Sequence, residues 1–364
     1  KAYLLGKVGV AALRFRPPEY FDEHRITRIQ GSATAIDRER RELVLASGER
    51  LAYEHLVLAT GARNRVPAVA GIELGGVFGL RNLADADGLS QRLGSAKRAV
   101  VIGAGFIGLE FAAVAAARGI AVDVLELGTR PMARALSAVT SQVFDHAHAR
   151  WGVRIHYGQS LAAIHGDGGQ VRSVELASGE VLPADLVVYG IGVLPNAELA
   201  AQAQLTVNNG IVVDAHLLTS DPAISAIGDV VSFPSPWSPQ AIRLESVQNA
   251  VDQAKAVAAR LMGKPAGYAA LPWFWTDQGE LKLQIAGLAD GHDETVVLGS
   301  VEQHQISVLC FRAGRLVAVE SCNRPADHMA ARKLIARNTP LSPAEAAAPG
   351  FDLKAFEVST RETA

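Results

Sequence analysis

The chain has 364 residues, enough for two or three domains around a large apolar core. Its 35 Lys and Arg stand against 37 Asp and Glu, a balance that gives no argument for nucleic acid or an anionic membrane as partner. No apolar run reaches the length of a membrane span, because Arg, Asp and Gly break the Ala-rich stretches. The two cysteines, Cys310 and Cys322, form no Cys-x-x-Cys pair, which argues against a dithiol relay and for a reducing, cytoplasmic setting.

In chain order, the first organised stretch runs from Arg25 to Gly61. It carries Leu45-Ala46-Ser47-Gly48-Glu49, a Ser-Gly hairpin turn, and Leu56-Val57-Leu58-Ala59-Thr60-Gly61, a buried strand ending in glycine. At residues 97–126 a β-branched run, Val100-Val101-Ile102, meets Gly103, Gly105 and Gly108. An Ala-rich helical stretch and a second apolar strand ending in Glu126 follow. This is the strand–turn–helix–strand unit that binds dinucleotides: Gly103 permits the turn, Gly105 lets backbone approach a pyrophosphate, and Gly108 lets helix and strand pack closely. The helix N-terminus offers unpaired N–H groups to the phosphates. A carboxylate at Glu126 suits both ribose hydroxyls and repels a 2′-phosphate, so NADH is expected over NADPH.

The stretch from Val153 to Gly192 then repeats the first in the order and spacing of its parts, with Leu176-Ala177-Ser178-Gly179-Glu180 and Leu186-Val187-Val188-Tyr189-Gly190-Ile191-Gly192. The second copy is preceded by the glycine fingerprint and the first is not. A βαβ unit of roughly 30 or more residues is therefore expected before Lys1, and a first dinucleotide site is expected to lack its phosphate-binding turn. Residues 244–261 read as a helix with Ser246 as its cap. Residues 295–298, 307–311 and 316–319 alternate as antiparallel strands, a helix follows at about 325–337, and the Pro- and Ala-rich tail after Asn338 is expected to wrap the surface.

Several motifs fall in register along nearly the whole chain: Ala59-Thr60-Gly61, the fingerprint with Leu109-Glu110, and Gly190-Ile191-Gly192-Val193-Leu194-Pro195-Asn196. Ala226-Ile227-Gly228-Asp229, Glu245-Ser246-Val247-Gln248-Asn249-Ala250 and Trp273-Phe274-Trp275-Thr276-Asp277-Gln278 follow. In this order they resemble the FAD-dependent, NADH-oxidising ferredoxin reductases that serve bacterial cytochromes P450 and aromatic-ring dioxygenases. Gly-Asp and Ala-Thr-Gly mark the wider superfamily of two-dinucleotide flavoproteins, whereas the last two motifs are much narrower.

The resemblance implies an α/β fold of two nested doubly wound dinucleotide-binding domains plus a C-terminal α+β domain. FAD-domain pieces at 1–92 and 216–270 flank an NAD domain at 93–215, and the third domain spans 271–364. It implies hydride transfer from NADH to FAD, then single electrons to a [2Fe–2S] ferredoxin. For FAD it points to Ala33, Thr60, Gly61, Arg81, Gly228, Asp229 and Val247, and for the nicotinamide side to Phe106, Ile107 and Gly192 beside the fingerprint. Asp229 receives a ribityl hydroxyl or phosphate-bound water, although an acid at a strand end also caps helices. The helix N-terminus at Val247 faces the flavin edge that gains negative charge on reduction. Glu110 and Lys1 match a pair near flavin N5. Glu110 alone is equally an acid in the first turns of a helix, and Phe106 is either an aromatic that swings aside for nicotinamide or core packing.

Trp275 is expected over the outer edge of the flavin, where an acidic iron–sulfur partner docks near Lys255 and Lys282. Gln284 departs from the pattern, standing where a family member carries lysine; Lys282, two residues away on the same strand face, is the substitute. Two other readings stay open at this point. One is an NADH:rubredoxin or monodehydroascorbate-type reductase, since no cysteine cluster or haem motif fixes the acceptor. The other is a non-catalytic flavoprotein that senses NADH.

Overall fold

The computed structural model describes residues 2–264 and 267–361, which form two compact units. Among the described residues no helix is long and apolar enough to cross a membrane.

One unit joins Asn64–Gly192 to Leu271–Ala364. Its first sheet has five parallel strands in the order Val77–Gly79, Leu186–Tyr189, Arg98–Ile102, Ala121–Glu126, Val153–Tyr157. Parallel strands are covered on both faces and need near-continuous apolar runs, which Ala99-Val100-Val101 and Leu186-Val187-Val188 supply. From the central strand Arg98–Ile102 the chain winds outward on one side and then returns to the other at Leu186–Tyr189. The switch point therefore falls at the carboxyl ends of these two strands, where open α/β sheets bind their ligands. The Gly190 N–H donates to the Ile102 carbonyl there (2.8 Å).

The second sheet of this unit is antiparallel, ordered Trp273–Gln278, Leu281–Gly287, Arg315–Cys322, Gln305–Arg312, Glu294–Ser300. It brings in two strands beyond those expected from the alternation at 294–322. Helix Pro325–Ala336 packs on it. The tail after Asn338 is partly helical. It forms helices Pro343–Ala346 and Leu353–Ser359, burying Leu353, and Glu357 is buried beneath Arg337, Arg361 and Lys333. A carboxylate so enclosed by cations is held well below its usual range, chiefly by its bond with Arg361.

The first segment of this unit begins at Asn64 and ends at Gly192. Residues 64–92 join it because strand Val77–Gly79 hydrogen-bonds along Leu186–Tyr189. The C-terminal sheet, from Leu271 on, belongs to the same compact unit as the parallel sheet. A buried carboxylate ties the two sheets together. Glu320, on a C-terminal strand, accepts from the backbone N–H (2.7 Å) and the hydroxyl (2.6 Å) of Ser137, the N-cap of helix Ala138–Arg150. Burial pushes its pKa up against the opposing pull of those donors. Cys310 and Cys322 are free thiols buried in the same sheet, and burial raises both pKa values.

The other unit joins Ala2–Arg63 to Val193–Ala270. It holds an antiparallel meander, Ala33–Asp37, Glu42–Leu45, Arg50–Ala52, and two parallel pairs, Leu56–Leu58 with Ile224–Ala226 and Ile211–Val212 with Val231–Ser232. Leu58, Ile211, Ile224, Val230 and Val257 form its core. Helix Val247–Leu261 starts three residues later than the expected 244, because the Ser246 hydroxyl accepts from the Asn249 N–H (3.1 Å) and so marks the boundary.

The internal repeat holds at the level of single hydrogen bonds. Leu45 N–H donates to Glu49 O, Gly48 N–H to Leu45 O and Ala46 N–H to Ser32 O. Leu176, Gly179 and Ala177 do the same to Glu180, Leu176 and Ser160, all six bonds lying at 2.8–2.9 Å. Both meanders carry a bulge at the matching place, between Ala33 and Ala35 and between Leu161 and Ala163. Each is followed by a parallel strand and a positive-φ glycine, Gly61 or Gly192.

Candidate functional site

At the switch point the fingerprint glycines play separable parts. Gly103 has φ +100°, and a Cβ there would lie 2.7 Å from Gly190 O, so both conformation and space require glycine. A Cβ on Gly108 would lie 2.2 Å from Gly103 O; its absence is what lets helix Phe106–Ala116 settle on strand Arg98–Ile102. Gly105 differs. Its backbone is extended (φ -80°, ψ -178°), and the nearest protein atom to an added Cβ is Gly190 O at 3.8 Å. Among the described residues no atom demands glycine there, so the head of the helix keeps open space against its backbone.

Glu126 closes the next strand with its carboxylate fixed on both sides. Oε2 accepts from the Ala104 N–H (2.8 Å) and Oε1 from the Gly128 N–H (2.7 Å). Each oxygen keeps further acceptor capacity beyond these backbone bonds. Ile107 sits in the first helical turn and Gly192 (φ +100°) lies just beyond the neighbouring strand.

One turn along the fingerprint helix, two periodicities meet. Residues i and i+4 of a helix share a face about 6 Å apart, and residues i and i+2 of a strand share one about 6.7 Å apart. Phe106 and Glu110 on the helix therefore match Phe274 and Thr276 on strand Trp273–Gln278. The rings of Phe106 and Phe274 meet edge to face at 4.5 Å, and the Thr276 hydroxyl donates to Glu110 Oε1 at 2.5 Å. One step on, Gln278 takes up the buried His148 (2.7 Å). The sequence by itself assigns no role to Thr276, Gln278 or His148. The period-2 pattern of Phe274-Trp275-Thr276-Asp277-Gln278 does put Thr276 and Gln278 on the face of Phe274, but no pattern says which helix that face meets. Lys1, the expected partner of Glu110, lies outside the described residues.

On the opposite face of that strand Trp275 is 39 % exposed, its ring 5.6 Å from Trp273. Lys282 is exposed on the next strand, two residues from Gln284 on the outward face, while Leu281 and Leu283 point inward. Arg81 is exposed in the same unit; its backbone N–H donates to Asp85 (2.8 Å) just before helix Leu83–Leu93.

The other unit assembles Thr60, Gly61, Gly228, Asp229 and Val247. The Thr60 hydroxyl donates to Asn196 O (2.7 Å), and Asn196 returns bonds to Thr60 O and Gly61 O (both 2.9 Å), locking the Ala-Thr-Gly turn. Gly228 (φ +79°) leads into a single 3-10 turn, Gly228–Val230, which seats on helix Val247–Leu261 through a bond from its N–H to buried Gln253 (2.7 Å). Asp229 lies inside that turn, whose N-cap is Ile227. Val247, the first helical residue, is 54 % exposed, leaving the positive helix end open to an anionic edge. Ala33 begins its strand exposed beside the bulge, and Lys255 is exposed in the third turn of the helix.

Residues 7–254 match the family described as pyridine nucleotide-disulphide oxidoreductase, and residues 273–357 match the reductase C-terminal family. Rhodocoxin reductase of Rhodococcus erythropolis is 49 % identical over 355 residues, 97 % of this chain and 83 % of that protein. The crystal structure of a ferredoxin reductase from Rhodopseudomonas palustris superposes with a TM-score of 0.96 at 49 % identity, covering 98 % of this chain and 88 % of that one. The covalent complex of putidaredoxin reductase with putidaredoxin gives 0.96 at 37 % identity, covering 100 % and 88 %.

Proposed function

The chain belongs to the pyridine nucleotide-disulphide oxidoreductase family, and from that premise we propose that it is an NADH-oxidising FAD enzyme delivering single electrons to a [2Fe–2S] ferredoxin that feeds an oxygenase. The observation that carries the NADH half is the pairing of an empty quarter beside Gly105 with a carboxylate, Glu126, pinned by the fingerprint's own backbone. A dinucleotide pyrophosphate fits the first and an unphosphorylated ribose the second.

FAD, when bound, accepts a hydride from NADH and releases electrons singly. The chain's residues then have the tasks of alignment and electrostatics. Gly103, Gly105 and Gly108, with Phe106 and Ile107, admit the pyridine nucleotide; Glu126 selects its ribose, and Gly192 borders it. Glu110 orients the nicotinamide end. Ala33, Thr60, Gly61, Arg81, Gly228 and Asp229 hold FAD, and the N–H groups at Val247 favour its reduced, negative edge. Trp275 screens the side from which electrons leave, and Lys255 and Lys282 attract an acidic ferredoxin. We place the protein in the cytoplasm, where its two free thiols stay reduced.

An anaerobic NADH titration followed by flavin absorbance tests the reading. Yellow protein bleached stoichiometrically by NADH and far less readily by NADPH supports it. Turnover that then depends on added [2Fe–2S] ferredoxin completes it, and turnover with rubredoxin instead replaces the acceptor. Protein that binds NADH without any flavin reduction overturns it.

A further inference from the structure

Behind Glu110 lies a run of buried hydrogen bonds with one direction. Thr276 Oγ1 is 2.5 Å from Glu110 Oε1, Gln278 Nε2 is 3.3 Å from Thr276 Oγ1, and His148 Nε2 is 2.7 Å from Gln278 Oε1. Thr276, Gln278 and His148 are at most 1 % exposed. An ionised Glu110 only accepts, so the single hydroxyl hydrogen of Thr276 goes to it. Thr276 must then accept from the Gln278 amide nitrogen, which turns the amide oxygen to His148 and requires the proton on His148 Nε2. His148 Nδ1 is left bare, and among the described residues it has no hydrogen-bond partner. Burial holds the His148 pKa below its usual value, in keeping with a neutral ring. The second Gln278 amide hydrogen faces Met132 Sδ (3.7 Å), whose residue donates its backbone N–H to Ala104 O (2.9 Å), inside the fingerprint turn.

Three polar side chains buried where a helix meets a strand cost stability relative to apolar packing unless each is paired. Here each pairing ends on the same carboxylate. We propose that Thr276, Gln278 and His148 are positioning residues for the reductive half-reaction, fixing the rotamer of Glu110 on the side where nicotinamide arrives. The proposal rests on the reading of Glu110 as a nicotinamide-side residue. Thr276 sets the carboxylate, Gln278 orients the Thr276 hydroxyl, and His148 prevents the Gln278 amide from flipping.

The test compares Thr276→Val, which keeps shape and removes the hydroxyl, with Thr276→Ser, Glu110→Gln and the double variant Glu110→Gln/Thr276→Val in FAD-loaded protein. Stopped-flow reduction by NADH gives the limiting rate, calorimetry gives NAD⁺ affinity, and thermal unfolding checks the fold. Thr276→Val is expected to lower the limiting rate about tenfold with affinity within about twofold, since the adenine half dominates binding. Thr276→Ser is expected to restore the rate to within about twofold. In the Glu110→Gln background, loss of the hydroxyl is expected to cost less than a further twofold, because coupled residues are not additive. A ¹⁵N spectrum of His-labelled protein, with the His148 signal identified by its loss in His148→Asn, is expected to show the neutral Nε2–H tautomer. An unaltered rate in Thr276→Val, effects that multiply independently, or an Nδ1–H tautomer would overturn the proposal. An unaltered rate in Glu110→Gln overturns the premise instead, and so separates the two failures.

Discussion

Alanine at Gly105 and at Gly108 should damage different properties, although the two glycines belong to one motif. At Gly105 the new methyl meets only Gly190 O at 3.8 Å, and the backbone is extended and open to any residue. Losing a glycine N-cap costs a few tenths of a kcal/mol to about 1, and reducing the freedom of the unfolded chain returns about 0.4–1. Stability should therefore stay within about 1 kcal/mol of the parent. The same methyl would occupy the quarter left for the pyrophosphate. Overpacking of one methyl costs about 1–3 kcal/mol, which at 1.4 kcal/mol per decade corresponds to about 5- to 150-fold in NADH affinity. At Gly108 the methyl would lie 2.2 Å from Gly103 O and 3.2 Å from Val101 Cγ1, so helix and strand must part. A loss of about 3 kcal/mol or more is expected, lowering the melting temperature by about 6–12 °C. Differential scanning calorimetry and NADH titration of both variants provide the measurement. Equal destabilisation by the two, or wild-type NADH affinity in Gly105→Ala, would refute the assignment of Gly105 to ligand and Gly108 to packing.

Glu126→Ser removes the charge that faces the ribose, and the NADH-over-NADPH preference in kcat/KM should fall at least about tenfold; an unchanged ratio would remove Glu126 from selectivity. Asp229→Ala should loosen FAD by about tenfold or more, read as flavin released on dialysis, and full flavin retention would contradict its placing at the cofactor. His328 is buried against Trp273 (5.5 Å between rings), both ring nitrogens lack hydrogen-bond partners among the described residues, and burial followed by the Arg332 charge pushes its pKa down to about 4. A pKa lowered in the native state means that the unfolded chain binds more protons. Stability from this group is thus present above about 6.5 and lost as pH falls toward 4, by about 2 kcal/mol between pH 7.5 and pH 5. Urea unfolding of His328→Leu at these two pH values should show that much of the slope removed, and an unchanged slope would place the pH sensitivity elsewhere.

The sequence alone determined the features that depend on consecutive residues. The conformation of Gly103, the three-glycine spacing and the terminal acid at Glu126 specify a strand, turn, helix and strand through local backbone geometry. The Ser-Gly hairpins specify two meanders whose hydrogen bonds agree one for one, and Ser246 fixes a helix start through its own hydroxyl. Tertiary structure decided what depends on faces meeting across long separations. Glu110 and Thr276 are 166 residues apart, and Ser137 and Glu320 are 183 apart. Periodicity shows which residues share a face, but the partner of that face is chosen by the packing of the whole unit. The same packing set strand Val77–Gly79 beside Leu186–Tyr189 and brought Arg337, Lys333 and Arg361 around Glu357. Buried polar groups are satisfied only after the chain has closed on itself, so their pairings are written in the fold and not in any local stretch of the sequence.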